Sequence, residues 1–237
     1  MSQDRASVAH AAGAATNVWT RPQLWWRVAL VTAGVAGMLT GNHRIHFFTT
    51  QSNLILLGYY AGVLYWMVRR RTTDPAAPRL RGAVTLWVMI TCLVSHFVTN
   101  HGENPLPGLV DGDAATLLAN RSIFLLHYVV PLMALADWLL FGPHRVVPWR
   151  DLPLWLLFPL GYAVTSVLRA VLFPTAPNRY PYFFLDPSEN GYGWVLLWQV
   201  MLGVGIAGLG AVLLALDRLA SRPAAAVPVA EPEKVVT

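Results

Sequence analysis

The stretch RIHFFTTQSNLILL, residues 44–57, sets a histidine, two threonines, a glutamine, a serine and an asparagine at the threshold of an apolar run. If the helix already includes residue 46, His46 lies three residues before Thr49 and four before Thr50. Ser52 and Asn53 follow Thr49 at i+3 and i+4, so these groups form one polar stripe. A hydroxyl beside an imidazole is the kernel of a nucleophilic site. The hydroxyl is weak until a base takes its proton, and histidine is the usual base because it titrates near neutrality. Asn53 or Gln51 would polarise the carbonyl under attack, and Ser52 and His46 would complete the binding stripe. His127 or His96 would supply the base across a helix interface. The competing reading is that such groups simply hydrogen-bond between helices, worth about 0.6 kcal/mol each in a membrane.

The elements that must position these residues follow from composition. With 55% hydrophobic and 12% charged residues over 237 positions, the chain falls far below the roughly 25% charged residues of a soluble domain. Unbroken apolar runs such as LLHYVVPLMALADWLLF argue for helices and against the dyad alternation of a membrane barrel. Runs long enough to span a bilayer fall at about 23–41, 47–68, 82–99, 121–141, 152–172 and 194–216. The expected fold is all-α: a polytopic six-helix membrane bundle over 23–216, with a polar segment over 1–22 and a disordered Pro- and Ala-rich tail over 217–237.

Basic residues set the orientation. Cytoplasmic termini put Arg5, Arg21, Arg69, Arg70, Arg71, Arg79, Arg81, Arg145, Arg150, Arg218, Arg222 and Lys234 inside, and only Arg44, Arg121 and Arg179 outside. Twelve against three follows the positive-inside rule, so the net charge of +5 needs no nucleic acid. The small-residue stretch AAGAAT precedes the first apolar run, the wrong order for signal-peptide cleavage, so the first span is expected to be an uncleaved anchor. A single cysteine, Cys92, makes neither an internal disulfide nor a Cys-based metal site. GVGIAG, residues 203–208, matches a dinucleotide pattern but lies inside a span without a preceding strand. Gly203, Ala207 and Ala211, like Gly37 and Gly41, are spaced for close helix packing instead.

Depth brings distant residues together. At about 1.5 Å per residue, Thr49 lies roughly 7–8 Å in from Arg44, His127 about 9 Å in from Arg121 and His96 about 6 Å from Asn100. All three fall in the outer half, which points to a shared pocket, because polar groups in a membrane must pair or line a cavity. On the inner side, Arg27 and Asp137 share a depth and are expected to form an ion pair. Arg169 is level with the threonines, where its guanidinium would bind a carboxylate, snorkel, or pair with Asp186. The aromatic loop FPTAPNRYPYFFLDPSENGYGW would line the outer interface or form a lid with Tyr180 and Tyr182 near its entrance.

FFTTQSNL, LLHYVVPLMALADWLLF and RYPYFFLDP together resemble the six-span family of the androgen-induced protein and the androgen-dependent TFPI-regulating protein. The resemblance runs over roughly residues 25–216 and is closer to their bacterial relatives, called Pr6Pr. It implies hydrolysis of fatty acid esters of hydroxy fatty acids by a membrane-embedded threonine and a histidine. Thr49 or Thr50 would then be the nucleophile and His127, four residues before Pro131, the base. Counting back from Asn53 and Leu54 favours Thr50, whereas the pattern F-T-x-Q-S-N favours Thr49.

The expected function is a membrane-embedded lipid-ester hydrolase needing neither metal nor cofactor, with a lipid or fatty-acyl ester as partner. A non-enzymatic lipid-, quinone- or haem-binding membrane protein is the alternative, with His96 and His127 as ligands. Transport finds no repeated half or paired broken helices in its favour. Oligomeric state is left open.

Overall fold

The computed structural model describes residues 17–221, which are all-helical without a strand. Six long helices follow in order: α1 Pro22–Thr40, α2 Phe48–Arg70, α3 Pro78–Thr99, α4 Ala114–Leu140, α5 Trp149–Leu172 and α6 Gly191–Ala220. Of these, α3 to α6 are long and apolar enough to cross a membrane. The 19 residues of α1 and 23 of α2 give rods of about 28 and 35 Å. Polar residues dilute both, Gln23 and Arg27 in α1 and the TTQSN run with Arg69 and Arg70 in α2. The expected tail lies outside the described residues except at its start, where α6 continues to Ala220. Most of the 1–22 segment also lies outside them, and its described end is a short turn over Val18–Thr20 capped by Asn17.

The bundle is built around α3, which packs against α2, α4, α5 and α6. Nearly all of Arg81–Cys92 is buried. Leu86 and Ile90 meet Trp138, Trp155, Tyr162 and Leu213 on one side, while Val84 and Val88 meet Leu30, Leu56, Tyr60 and Val130 on the other. Helices α5 and α6 form a flank whose outward face is a field of exposed Leu154, Leu157, Leu168, Leu196, Val200 and Val204. Such a continuous apolar face suits hydrocarbon better than water.

One end of the bundle is tied by ionic contacts. Asp137, fully buried, accepts from Arg27 Nε at 2.8 Å, the Tyr60 hydroxyl at 3.1 Å and Arg81 Nη1 at 3.5 Å. The depth argument anticipates Arg27 and Asp137 but not Arg81, expected in an exposed inner loop. Because α3 begins at Pro78, Arg81 is inside the helix and fully buried, and it also donates to the Gly142 and Pro143 carbonyls. Nearby, Asp217 of α6 accepts from His144 Nδ1 and the Arg145 backbone N–H, both at 2.8 Å.

Of the small residues expected to pack closely, those of α1 do so and Gly203 of α6 does not. A Cβ on Gly37 would meet Leu126 at 2.7 Å, and one on Gly41 would collide with Ser122 and His43, so α1 and α4 do approach closely there. Gly203 instead faces open space, and in α6 it is Gly210 that packs tightly, against Leu152.

Candidate active site

At the end opposite the ionic cluster, a cavity of about 550 Å³ is lined by the α1–α2 turn and the start of α2, the second half of α3, Ile123 and His127 in the middle of α4, parts of α5 and α6, and the 173–190 loop. That volume is typical of a small-molecule site. Its polar end is formed by Asn42, His43, Arg44, Thr49, Thr50, Thr99, Asn100 and His127, and Tyr182 also lines it.

Thr49 Oγ1 lies 3.1 Å from His127 Nε2, and His127 Nδ1 lies 2.9 Å from the Ile123 carbonyl. A carbonyl only accepts, so Nδ1 carries the proton and Nε2 is left as the acceptor. The Thr49 hydroxyl therefore donates to His127, which is the polarity that nucleophile activation requires. Thr50, about 100° further round the helix, is buried and lines the cavity without a side-chain hydrogen bond to His127.

Local helix geometry aims the histidine. Residues Leu125–Val129 form a π turn in the middle of α4, and Val94–Thr99 form another at the end of α3. Such turns add a residue to the helical ladder and recur at functional sites. In the i→i−5 register, Val130 N–H bonds the Leu125 carbonyl, but Pro131 has no N–H for Leu126. The Asn53 side-chain amide takes up that carbonyl at 3.4 Å and also donates to the Thr49 carbonyl at 2.9 Å. Asn53 thus joins the helix of the threonine to the helix of the histidine.

Several expected substrate contacts are consequently absent from the cavity wall. Asn53 and Ser52 are fully buried beside it, and Ser52 bonds the Thr49 carbonyl and the Thr91 hydroxyl. Gln51 turns away to donate to the Ile45 carbonyl at 2.9 Å. His46 is not on the helix, because Phe47 is extended and α2 begins at Phe48. The His46 carbonyl accepts from the Tyr162 hydroxyl at 2.9 Å, while its Nε2 is buried without a partner. Desolvation, reinforced by Arg169 and Arg44, holds the His46 pKa below its ordinary value. His96 Nδ1 bonds the Tyr128 hydroxyl at 3.2 Å. Arg169 grips the carbonyls of Pro177, Asn178 and Arg179 at 3.2–3.4 Å, and so shapes the outer loop instead of pairing with Asp186.

Tyr182 is the group whose role sequence reasoning understated. Its ring is stacked on Phe184 at 5.1 Å and edge-on to Phe47 at 5.8 Å, with Tyr162 at 6.3 Å. Burial pushes the phenol pKa up, and hydrogen bonding to the Thr49 hydroxyl and the Phe48 and Thr49 backbone partly offsets that. The hydroxyl therefore stays protonated beside Thr49. Tyr180 packs with Arg179, whose guanidinium lies 5.1 Å from its ring centre.

A second hydroxyl–imidazole pair, Ser122 Oγ and His43 Nε2 at 2.8 Å, is of a different kind. The Ser122 hydroxyl is fully buried and lies 2.7 Å from the Gly37 carbonyl, to which it donates, so it fastens α4 to α1.

Fold and site together define a helical bundle with apolar flanks, carrying a hydroxyl–imidazole pair on the wall of an apolar cavity. No family model matches the chain, and neither the curated proteins nor the solved structures include a match.

Proposed function

We propose that the protein is a six-span integral membrane protein with cytoplasmic termini, acting as a lipid-ester hydrolase of the Pr6Pr type with Thr49 as nucleophile and His127 as base. The observation that carries the chemistry is the 3.1 Å contact between Thr49 Oγ1 and His127 Nε2, with Nδ1 committed to the Ile123 carbonyl. Six spans are supported by the lengths of α1 and α2 and by outward Trp25, Val35, Leu39, Leu54 and Tyr65 on them. Orientation is supported by the basic residues around the 71–78 and 141–151 loops, which share the ionic end of the bundle.

In the reaction, Thr49 Oγ attacks the ester carbonyl carbon as its proton passes to His127 Nε2. The carbonyl oxygen becomes an oxyanion, to which the Tyr182 hydroxyl donates a hydrogen bond. Collapse breaks the bond to the leaving oxygen, which takes the proton from His127 and departs as the alcohol. Water, deprotonated by His127, then releases the fatty acid from the Thr49 ester and restores the hydroxyl. The Ile123 carbonyl does the orienting that a carboxylate does in a serine triad, without placing a further charge in the membrane.

The test is hydrolysis of a long-chain ester by purified wild-type, Thr49→Ala, Thr50→Ala and His127→Ala proteins. Loss of turnover in the Thr49 and His127 variants supports the reading. Full turnover in every variant overturns it and leaves the threonines as interhelical contacts.

A further inference from the structure

Below the polar end, the cavity continues as an arm lined by Leu156, Pro159 and Leu160 of α5 and by Leu202, Gly203 and Ile206 of α6. These residues carry no side-chain hydrogen-bonding group. The two helices run antiparallel, and Gly210 meets Leu152, so Ile206 and Leu156, each four residues away, lie at one level and form the floor. From Gln199 to Ile206 the arm descends roughly 10 Å along α6. Leu160 lines the arm yet is 59% exposed on the outer flank, so the arm is open sideways through the α5–α6 face. Gly203 lines the same opening, and a Cβ built there meets nothing within 4 Å.

We propose that the α5–α6 gap is a lateral portal and hydrocarbon-chain site, through which one unbranched acyl chain of a membrane lipid slides from the bilayer and settles with its carbonyl at Thr49. The occupant's identity rests on the lipid-ester reading, while the portal rests on the cavity and the exposed flank. The occupant is a hydrocarbon chain because the α5 and α6 residues that line the arm offer it no polar side chain. Gly203 keeps the slot open: any side chain there projects into the space the chain needs.

The experiment uses the full-length Thr49→Ala protein in phosphatidylcholine vesicles, which separates binding from turnover. Its probe is palmitic acid carrying a diazirine near the methyl end. After irradiation and peptide mapping, label should fall on the 156–160 and 202–206 segments and be competed by excess unlabelled palmitate. Gly203→Trp should cut the competed labelling at least tenfold and the smaller Gly203→Leu several-fold. Gly205→Trp should leave it unchanged, since Gly205 also faces open space but lies off the arm. Matched thermal melting of the three variants in detergent secures the comparison. Labelling that palmitate does not compete, or that persists in both folded Gly203 variants, overturns the proposal. Competed labelling in a protein whose wild type hydrolyses no ester upholds the portal and sinks the chemistry instead.

Discussion

Thr49 and His127 are separated by 78 positions in the chain and by 3.1 Å in space, and the histidine meets the threonine through the nitrogen that has no proton. Contact and tautomer together are what the proposed hydrolysis requires of the pair. Replacing either residue should remove activity as completely as replacing both, since groups acting as one unit are not additive. Losses of at least ~10²-fold in kcat are expected for Thr49→Ala and for His127→Ala. Thr49→Ser should retain turnover and Thr50→Ala should stay near wild type, as single-turnover ester cleavage would show.

Tyr182→Phe removes the hydroxyl proposed to donate to the oxyanion while keeping the ring packed between Phe47 and Phe184. The oxyanion forms only during reaction, so kcat should fall by about 10²-fold with little change in KM. A change confined to KM would assign the tyrosine to substrate packing alone.

Asp137→Asn leaves Arg27 and Arg81 buried without their carboxylate. Breaking a buried ion pair from one side costs about 3–5 kcal/mol. Thermal unfolding in detergent should shift down accordingly, whereas Thr49 reactivity in the protein that remains folded should be largely kept. Equal stability of variant and wild type would show that the cluster is not desolvated.

His46 supplies a pH dependence. Its folded pKa lies below the ordinary 6.5, so the folded state binds fewer protons than the unfolded one. Its contribution is fully present above pH 6.5 and is lost as pH falls through the folded value. Protonation places a cation near Arg44 and Arg169 and strains the turn clasped by the Tyr162 hydroxyl. Unfolding monitored between neutral and mildly acidic pH should show the loss, and His46→Gln should flatten it.

The helical architecture was legible because apolar runs of spanning length allow few alternatives, and matched depth was enough to pair Arg27 with Asp137 and to bring Thr49, His96 and His127 to one level, though it left Thr49 and Thr50, and His96 and His127, as open choices. Depth says nothing about azimuth. Asn53 and Gln51 occupy the right level, yet the Asn53 amide is taken up by the Thr49 and Leu126 carbonyls and Gln51 by the Ile45 carbonyl, while His46 drops off the stripe because α2 starts only at Phe48. The π turn in α4 was hidden as well: its only trace in the sequence is Pro131 four residues after a histidine, which an ordinary proline kink would also produce. The three loop carbonyls around Arg169 were not legible, because backbone partners leave no mark on composition.

The cluster at Asp137 also constrains how the chain is made. Arg27 and Arg81 are synthesised first, on the first and third helices, and their shared carboxylate arrives only with the fourth. A nascent chain ending after α3 holds two guanidiniums with no anion to meet them in the bundle, a costly state in hydrocarbon. The cluster that ties α1 and α3 to α4 therefore cannot close until α4 has been made. The contact between Thr49 and His127 waits on the same helix, since α4 carries both Asp137 and His127.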